Sequence, residues 1–445
     1  MTHRPRDIAA WLPFYYGWVM LVIAIVAAIA CYPGQTVALS VFNDPFRKDL
    51  GLSHSELSGA YMLATILAGL SSVVAGAAMD RFGIRRTIFA LSLMMGAACM
   101  ATAAVWGLGS LFVAFLLLRV IGHGSLPLVA DNTVAMWFHK RLGLAMGIKN
   151  LAGAVAVGAV PALNLWLIHL VGWRRAFVVL GACIWSVVLP AVAFLFRNRP
   201  EDIGQFPDGE VAQPHDATVI QTTPAQGVAG PASGGGAGTT SFSLFAAVRT
   251  RSYWIVLLFG AVCGMFWAGI TFNIVPLFEG HGLSKTDAAA AIAVCAASLA
   301  VVQLLGGLLA DRVPLNLLLC VAAATAAAAV AMLTQVHSFA MAAVFAVAIG
   351  AGSGLGIVAG GTLWPRYFGR THLGKIRGTA MMATVLGSAI GPFLLGAAHD
   401  AFGTFDSALW FLSGACGVLA VALCWATPPG VAPRRARRHA DAERS

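Results

Sequence analysis

Gly76-Ala-Ala-Met-Asp-Arg-Phe-Gly-Ile-Arg-Arg86 sets one acid and three arginines within seven residues of a chain that is only 10% charged. The sequence on either side is apolar, so the charges mark a turn between two long apolar segments. A helix needs roughly 20 apolar residues to cross a hydrocarbon core of about 30 Å. Working outward, twelve such segments lie near residues 17–42, 56–79, 87–106, 110–134, 142–169, 175–196, 252–276, 286–310, 314–335, 339–363, 378–399 and 407–426. With 59% hydrophobic residues and a mean hydropathy of +0.82 over 445 residues, the chain exceeds what a soluble core can bury. Unbroken runs such as Val19–Ala30, VMLVIAIVAAIA, lack the alternation that membrane strands show. The expected fold class is an all-α membrane protein with twelve transmembrane helices.

Basic residues set the orientation, because short loops rich in Lys and Arg stay cytoplasmic. With both termini inside, 21 of the 28 Lys and Arg fall in cytoplasmic segments and five (Arg47, Lys48, Arg174, Arg175, Lys285) in outer loops. Arg119 and Lys149 remain within spans. The net charge of +10 is thus a topology signal with some attraction to anionic membrane lipids, and nucleic acid is not an expected partner. The first apolar run is too long for a cleavable signal and has no small-residue cleavage site, so it stays as the first helix. These features place the protein in the plasma (inner) membrane as a multi-pass monomer. The eight cysteines show no CxxC spacing and read as packing residues; no metal site or cofactor is expected. HExxH, Walker and GxSxG motifs are absent.

A change of composition divides the chain. From Asp208 to Ser243 it is rich in Pro, Gly, Thr and Gln, which suits a flexible linker. The reading is residues 1–198 as one six-helix half, 199–250 as a cytoplasmic linker, 251–427 as the second half and 428–445 as a basic tail. Such halves suggest an internal duplication. Gly76-x-x-x-Asp80-Arg81 returns as Gly307-x-x-x-Asp311-Arg312 at the end of the corresponding span, and Arg141-Leu-Gly-Leu-Ala-Met is echoed more weakly by Arg377-Gly-Thr-Ala-Met.

These motifs, with Arg119-x-x-Gly122 and Gly172-Trp-Arg-Arg175, resemble the major facilitator superfamily over essentially the whole chain. The resemblance implies two pseudo-symmetric six-helix halves. It also implies a gate in which Gly76 and Gly83 permit close approach, Asp80 caps a helix end, and Arg81, Arg85 and Arg86 pair at the cytoplasmic seam, with Asp311 and Arg312 as a reduced second copy. Phe14-Tyr-Tyr-Gly-Trp18, Asp44-Pro-Phe-Arg47 and Arg199-Pro-Glu-Asp-Ile-Gly-Gln-Phe-Pro-Asp-Gly209 resemble the monocarboxylate and oxalate/formate porter branch. That branch often binds carboxylate and proton through charged residues in helices 1, 8 and 11. Here those spans offer only Gln35, Gln303 and Ser388 in their interiors, so the branch's binding residues are not carried over.

Two cations lie deep. Arg119 falls roughly 13 Å from the outer end of span 4 and Lys149 roughly 10 Å from the inner end of span 5, at 1.5 Å per residue. No acid is expected at comparable depth, since Asp131 reads as near the inner boundary. A buried cation costs at least about 2.5 kcal/mol unless it meets water or a partner, so a substrate anion is the natural counter-charge. The alternatives are a structural or gating role for Arg119 and snorkelling for Lys149. His123, four residues on, shares the Arg119 helix face and is either a proton site or a packing residue. Tyr32, Gln35, Trp267 and Asn273 are further candidates for lining a central cavity. The function read from this pattern is alternating-access transport of a small organic anion, a monocarboxylate in the first instance, by H+ symport or anion exchange. Efflux of hydrophobic or drug-like compounds is the alternative, and a membrane enzyme or a non-transporting receptor a more distant one.

Overall fold

The computed structural model describes residues 14–209 and 242–429. The core of the expected flexible linker and nearly all of the basic tail lie outside the described residues. Twelve helices are long and apolar enough to cross a membrane. We number them α1 (Gly17–Ala30), α2 (His54–Phe82), α3 (Ile84–Ala103), α4 (Leu108–Trp137), α5 (Leu142–Val171), α6 (Trp173–Leu195), α7 (Arg251–Gly280), α8 (Lys285–Ala310), α9 (Leu315–Leu333), α10 (Phe339–Phe368), α11 (Leu373–Phe402) and α12 (Asp406–Leu423). The described residues contain no strand. Polarity is inverted relative to a soluble protein: Val74, Phe393 and Val418 are at least 70% exposed, whereas Arg119, Lys149 and Arg377 are buried. Such a surface suits hydrocarbon, where only self-satisfied backbone can stand.

Local chemistry starts the helices where water meets lipid. Ser53 and Glu56 form a reciprocal cap on α2, and Ser284 and Asp287 do the same on α8. Between α2 and α3 the chain turns on a single residue, Gly83, at φ 83°, a region that side chains rarely enter. Several boundaries differ from the expectation by a few residues, and two of the differences change the reading. The first span does not run unbroken to residue 42: it ends at Ala30, passes a 3-10 turn at Tyr32–Gly34 and resumes as a short helix, Thr36–Ser40, because Pro33 and Gly34 interrupt it. Helix α11 starts at Leu373 rather than near 378, which moves Arg377 from loop to helix interior.

The halves α1–α6 and α7–α12 meet along two helix pairs, α2 with α11 and α5 with α8. Both seams are built on glycine. A Cβ on Gly76 would lie 2.1 Å from the Gly374 carbonyl oxygen, and one on Gly143 would lie 2.3 Å from that of Gly307. Gly378 against Ser72, and Gly147 against Gln303, continue the approach by one turn. Leu142-Gly143-x-x-x-Gly147 and Leu373-Gly374-x-x-x-Gly378 are thus the paired elements of the two halves, small residues four apart that let backbones touch. The echo that matched Arg141 to Arg377 was out of register. Gly59, Gly153 and Gly158, further along α2 and α5, meet nothing within 4 Å. The halves therefore close at the end that carries the Gly76–Arg86 turn, here called the motif end, and separate toward the other.

Candidate functional site

At the motif end the first turn of a helix leaves backbone N–H groups without partners, and each half supplies a carboxylate to the other's helix. Asp80 accepts from the N–H groups of Gly374 (3.0 Å) and Lys375 (2.9 Å), capping α11. Asp311 accepts from Gly143 (2.7 Å) and Leu144 (3.0 Å), capping α5. The second copy of the motif is as fully engaged as the first. Its cation is not Arg312, whose side chain is exposed, but Arg366 at the end of α10. Arg366 pairs with Asp311 at 2.6 Å and donates to the His139 carbonyl across the seam at 3.2 Å. The arginines of the first copy also differ from the expectation. Arg81 stacks on Phe82, and Arg85 donates to the Ala193 carbonyl while its backbone N–H meets Asn198, so it braces α3 against α6 within one half. Arg86 flanks a shallow cavity of about 350 Å³ between the same two helices. These side chains leave Asp80 held by backbone donors on the other half.

One or two turns deeper, Asp131 on α4 takes Lys149 of α5 on one oxygen and Arg377 of α11 on the other, the latter at 2.5 Å. Asn132 accepts a further bond from Arg377 at 3.3 Å. This corrects the expectation that no acid matches the depth of Lys149. Helix α4 continues to Trp137 and so carries Asp131 inward from the boundary, and the early start of α11 brings Arg377 to it. Lys149 does not snorkel, and among the described residues it shares no hydrogen-bond partner with Arg119. One carboxylate between two buried cations leaves the cluster with a formal charge of +1.

Arg119 occupies a different place, 2% exposed, at the junction of α1, α2 and α4. Its Nε donates to Thr65 (3.1 Å), its Nη1 donates to the Gly34 carbonyl (3.1 Å) and to Thr36 (3.3 Å), and the guanidinium lies 4.9 Å from the Tyr61 ring centroid. The break in α1 makes the Gly34 carbonyl available. Just beyond Arg119, α4 widens into a π-helical segment, Val120–Ser125, ahead of Pro127, which has no N–H to continue the α-helical ladder. Side chains take the carbonyls so released: Ser71 and Ser125 bond to Val120, Ser72 to Gly124, and Gln35 to Gly122 at 2.8 Å. Gly122 and Gly34 stand in direct backbone contact, which sets the crossing of α1 and α4.

Of the candidate lining residues, the structure joins Gln35 to His123, with Gln35 Oε1 3.1 Å from His123 Nδ1. Tyr32 reaches α5 and donates to the Gly153 carbonyl at 2.6 Å. Trp267 is 38% exposed on α7, and Asn273 bonds back to its own helix at Gly269; neither meets the Arg119 cluster. Sequence reading passed over Tyr61, Thr36 and Thr65, which are ordinary helix residues whose polar groups acquire meaning only when three helices converge. It placed Asp131 near the inner boundary and Arg377 outside the span, and passed over Asn132; the repeated Leu-Gly-x-x-x-Gly element was the available sign that α11 starts before Arg377.

A pair of glycine-lined seams, each closed by a carboxylate from the opposite half, joins the two halves of a duplicated twelve-helix fold. A family model described as Major Facilitator Superfamily matches residues 14–336 and 275–444. The chain belongs to the Major Facilitator Superfamily. It is similar to a probable sulfoacetate transporter of Cupriavidus necator, 28% identical over 171 residues, covering 37% of this chain and 38% of that one. It is also similar to a probable L-galactonate transporter of Escherichia coli, 27% identical over 187 residues (40% of this chain, 39% of that one). Monocarboxylate transporter 9 of Gallus gallus is 23% identical over 188 residues (42% and 36%). The chain spans about two fifths of the length of these relatives. Among solved structures, the human organic anion transporter TETRAN superposes with a TM-score of 0.67 at 12% identity, covering 92% of this chain and 99% of that one, and shares the fold. The protein is thus an integral multi-pass membrane member of the superfamily.

Proposed function

We propose that this superfamily member is a secondary active transporter, not an enzyme, that moves a small organic anion across the membrane by alternating access. The observation that carries the reading is the shell of Arg119. A guanidinium buried in the bundle is held by a carbonyl, two hydroxyls and an aromatic face, with no carboxylate among its partners in the described residues. Together with the excess charge of the Asp131 cluster, this gives the bundle interior a positive character that attracts an anion and opposes a cation. The relatives' names, with sulfoacetate, galactonate and monocarboxylate among their substrates, support the same class. In this reading a carboxylate replaces the Gly34 and Thr36 acceptors on Arg119, and Gln35 and His123 form the polar edge beside it, with Tyr32, Trp267 and Asn273 further along the path. Residues 1–198 and 251–427 are the halves that rock, joined by 199–250, and the motif end faces the cytoplasm, so the closed seam corresponds to an outward-open state. H+ symport and anion exchange are the two coupling modes to be separated by the pH dependence of counterflow.

The test is substrate titration on folded protein. A thermal-shift screen of purified protein against sulfonates, sugar acids and monocarboxylates identifies a ligand. Arg119→Lys should then weaken its binding by about tenfold or more, because a compact ammonium cannot reproduce the planar fork. An unchanged dissociation constant in folded Arg119→Lys and Arg119→Gln would refute the anion-site reading. Topology is tested separately: reporter fusions at Gly209 and Ser445 should both report cytoplasm, and an outside signal from either would overturn the orientation.

A further inference from the structure

The segment Arg199–Gly209 leaves α6 and runs back beneath the motif end of its own half. A 3-10 turn at Pro200–Ile203 and the left-handed Gly204 direct it toward α1, where Gln205 Oε1 accepts from the Tyr16 N–H at 3.2 Å. It ends at Asp208, the only residue other than glycine with positive φ among the described residues, at 62°. Such a conformation persists only where surrounding contacts impose it, and here they do. The Asp208 carboxylate accepts from three successive backbone N–H groups in the turn between α4 and α5: His139 (3.0 Å), Lys140 (2.6 Å) and Arg141 (3.2 Å). Its own N–H donates to the Tyr15 hydroxyl at 3.1 Å, and that hydroxyl donates to the Trp137 carbonyl.

The same turn is held from its other side by the opposite half. Asp311 takes the N–H groups of Gly143 and Leu144, and Arg366 donates to the His139 carbonyl. Two carboxylates, one from each side of the seam, thus gather five of the N–H groups within residues 139–144. A turn at a helix start has no fixed shape of its own, because its N–H groups are satisfied equally well by water. We propose that Asp208 is a positioning residue for closure of the halves: it fixes the α4–α5 turn in the shape that presents Gly143, Leu144 and His139 together to Asp311 and Arg366. Arg370, half-buried in the α10–α11 turn of the second half, lies within electrostatic reach of Glu201, Tyr15 and Asp208, so the segment stands next to the second half as well as its own. The consequence for transport rests on the proposed opening and closing of this end; the positioning itself does not.

Hydrogen–deuterium exchange on the full-length purified protein tests it at a site that Asp208 does not touch, the N–H groups of Gly374 and Lys375 under Asp80. If Asp208 promotes closure of the whole end, exchange there should rise about tenfold in Asp208→Asn, within the range of ordinary coupling between sites. Asp208→Gly, which relieves the backbone but lacks the carboxylate, should behave in the same way. The rise should vanish when Asp208→Asn is placed in an Asp311→Asn background, where the path through the turn is already cut. Native exchange at Gly374 and Lys375 in both folded variants overturns the inference, as does native exchange in Asp208→Gly alone or an undiminished rise in the Asp311→Asn background. No substrate enters this readout, so its failure is distinct from failure of the transport reading.

Discussion

Asp131→Asn is expected to destabilise the protein more than removal of either of its partners. Loss of the carboxylate leaves Lys149 and Arg377 as two buried cations facing each other with only neutral acceptors. Breaking a buried pair by removing one partner costs about 3–5 kcal/mol, and here a single substitution breaks two pairs. Lys149→Met or Arg377→Met removes one charge and leaves Asp131 matched one to one by the cation that remains, so each should be much milder. Thermal unfolding of the purified variants in detergent checks the order. The double variant Asp131→Asn/Lys149→Met should recover part of the loss, since it removes the repulsion. Equal damage from the three single variants would mean that the cluster acts through shape and not charge.

The second large effect concerns the gate. Asp80→Asn and Asp311→Asn each keep one acceptor oxygen and set an amide NH2 against the remaining backbone N–H. The lost charge-assisted bond is worth about 1.5–3 kcal/mol, which shifts the balance between closed and open motif end by about tenfold to a hundredfold for each. The two sites lie on separate helix pairs, so the effects should compound in the double variant. Counterflow should slow while substrate affinity is kept, because neither carboxylate touches Arg119. Binding lost in a folded single variant would place that aspartate in the substrate path. Exchange protection at Gly143 and Gly374 provides the structural measure, and it should fall in both turns even when only one aspartate is altered.

The expectation of a joint Arg119–Lys149 site shows where reading along the chain stops. Depth along a helix is legible, because rise per residue is constant, and both residues do lie inside spans. Which helix faces which is not. Lys149 turns to Asp131 on the neighbouring α4, and Arg377 arrives from the other half of the molecule; each looked like a separate event in sequence because hydropathy windows blur helix ends by several residues. The same limit hid Arg366 behind Arg312. Arg312 lies in the turn that follows α8 with its side chain exposed, while Arg366 near the end of α10 reaches Asp311.

Composition, the length of apolar runs and one repeated motif were sufficient for the membrane class, the twelve spans and the duplication, because apolar length and the Gly-x-x-x-Asp repeat are local properties that survive without three-dimensional information. Of the seam glycines, only Gly76, and Gly307 through the repeat of its motif, were legible; Gly143, Gly147, Gly374 and Gly378 acquired their role when the helices met. Tertiary structure alone decided the partners of the charges. A carboxylate inside a bundle bonds to whatever donors the helix crossings bring within 3 Å, and those crossings arise from packing among residues hundreds of positions apart. Asp80 meets Gly374, Asp311 meets Gly143, and Asp131 meets Arg377 only after the halves have docked.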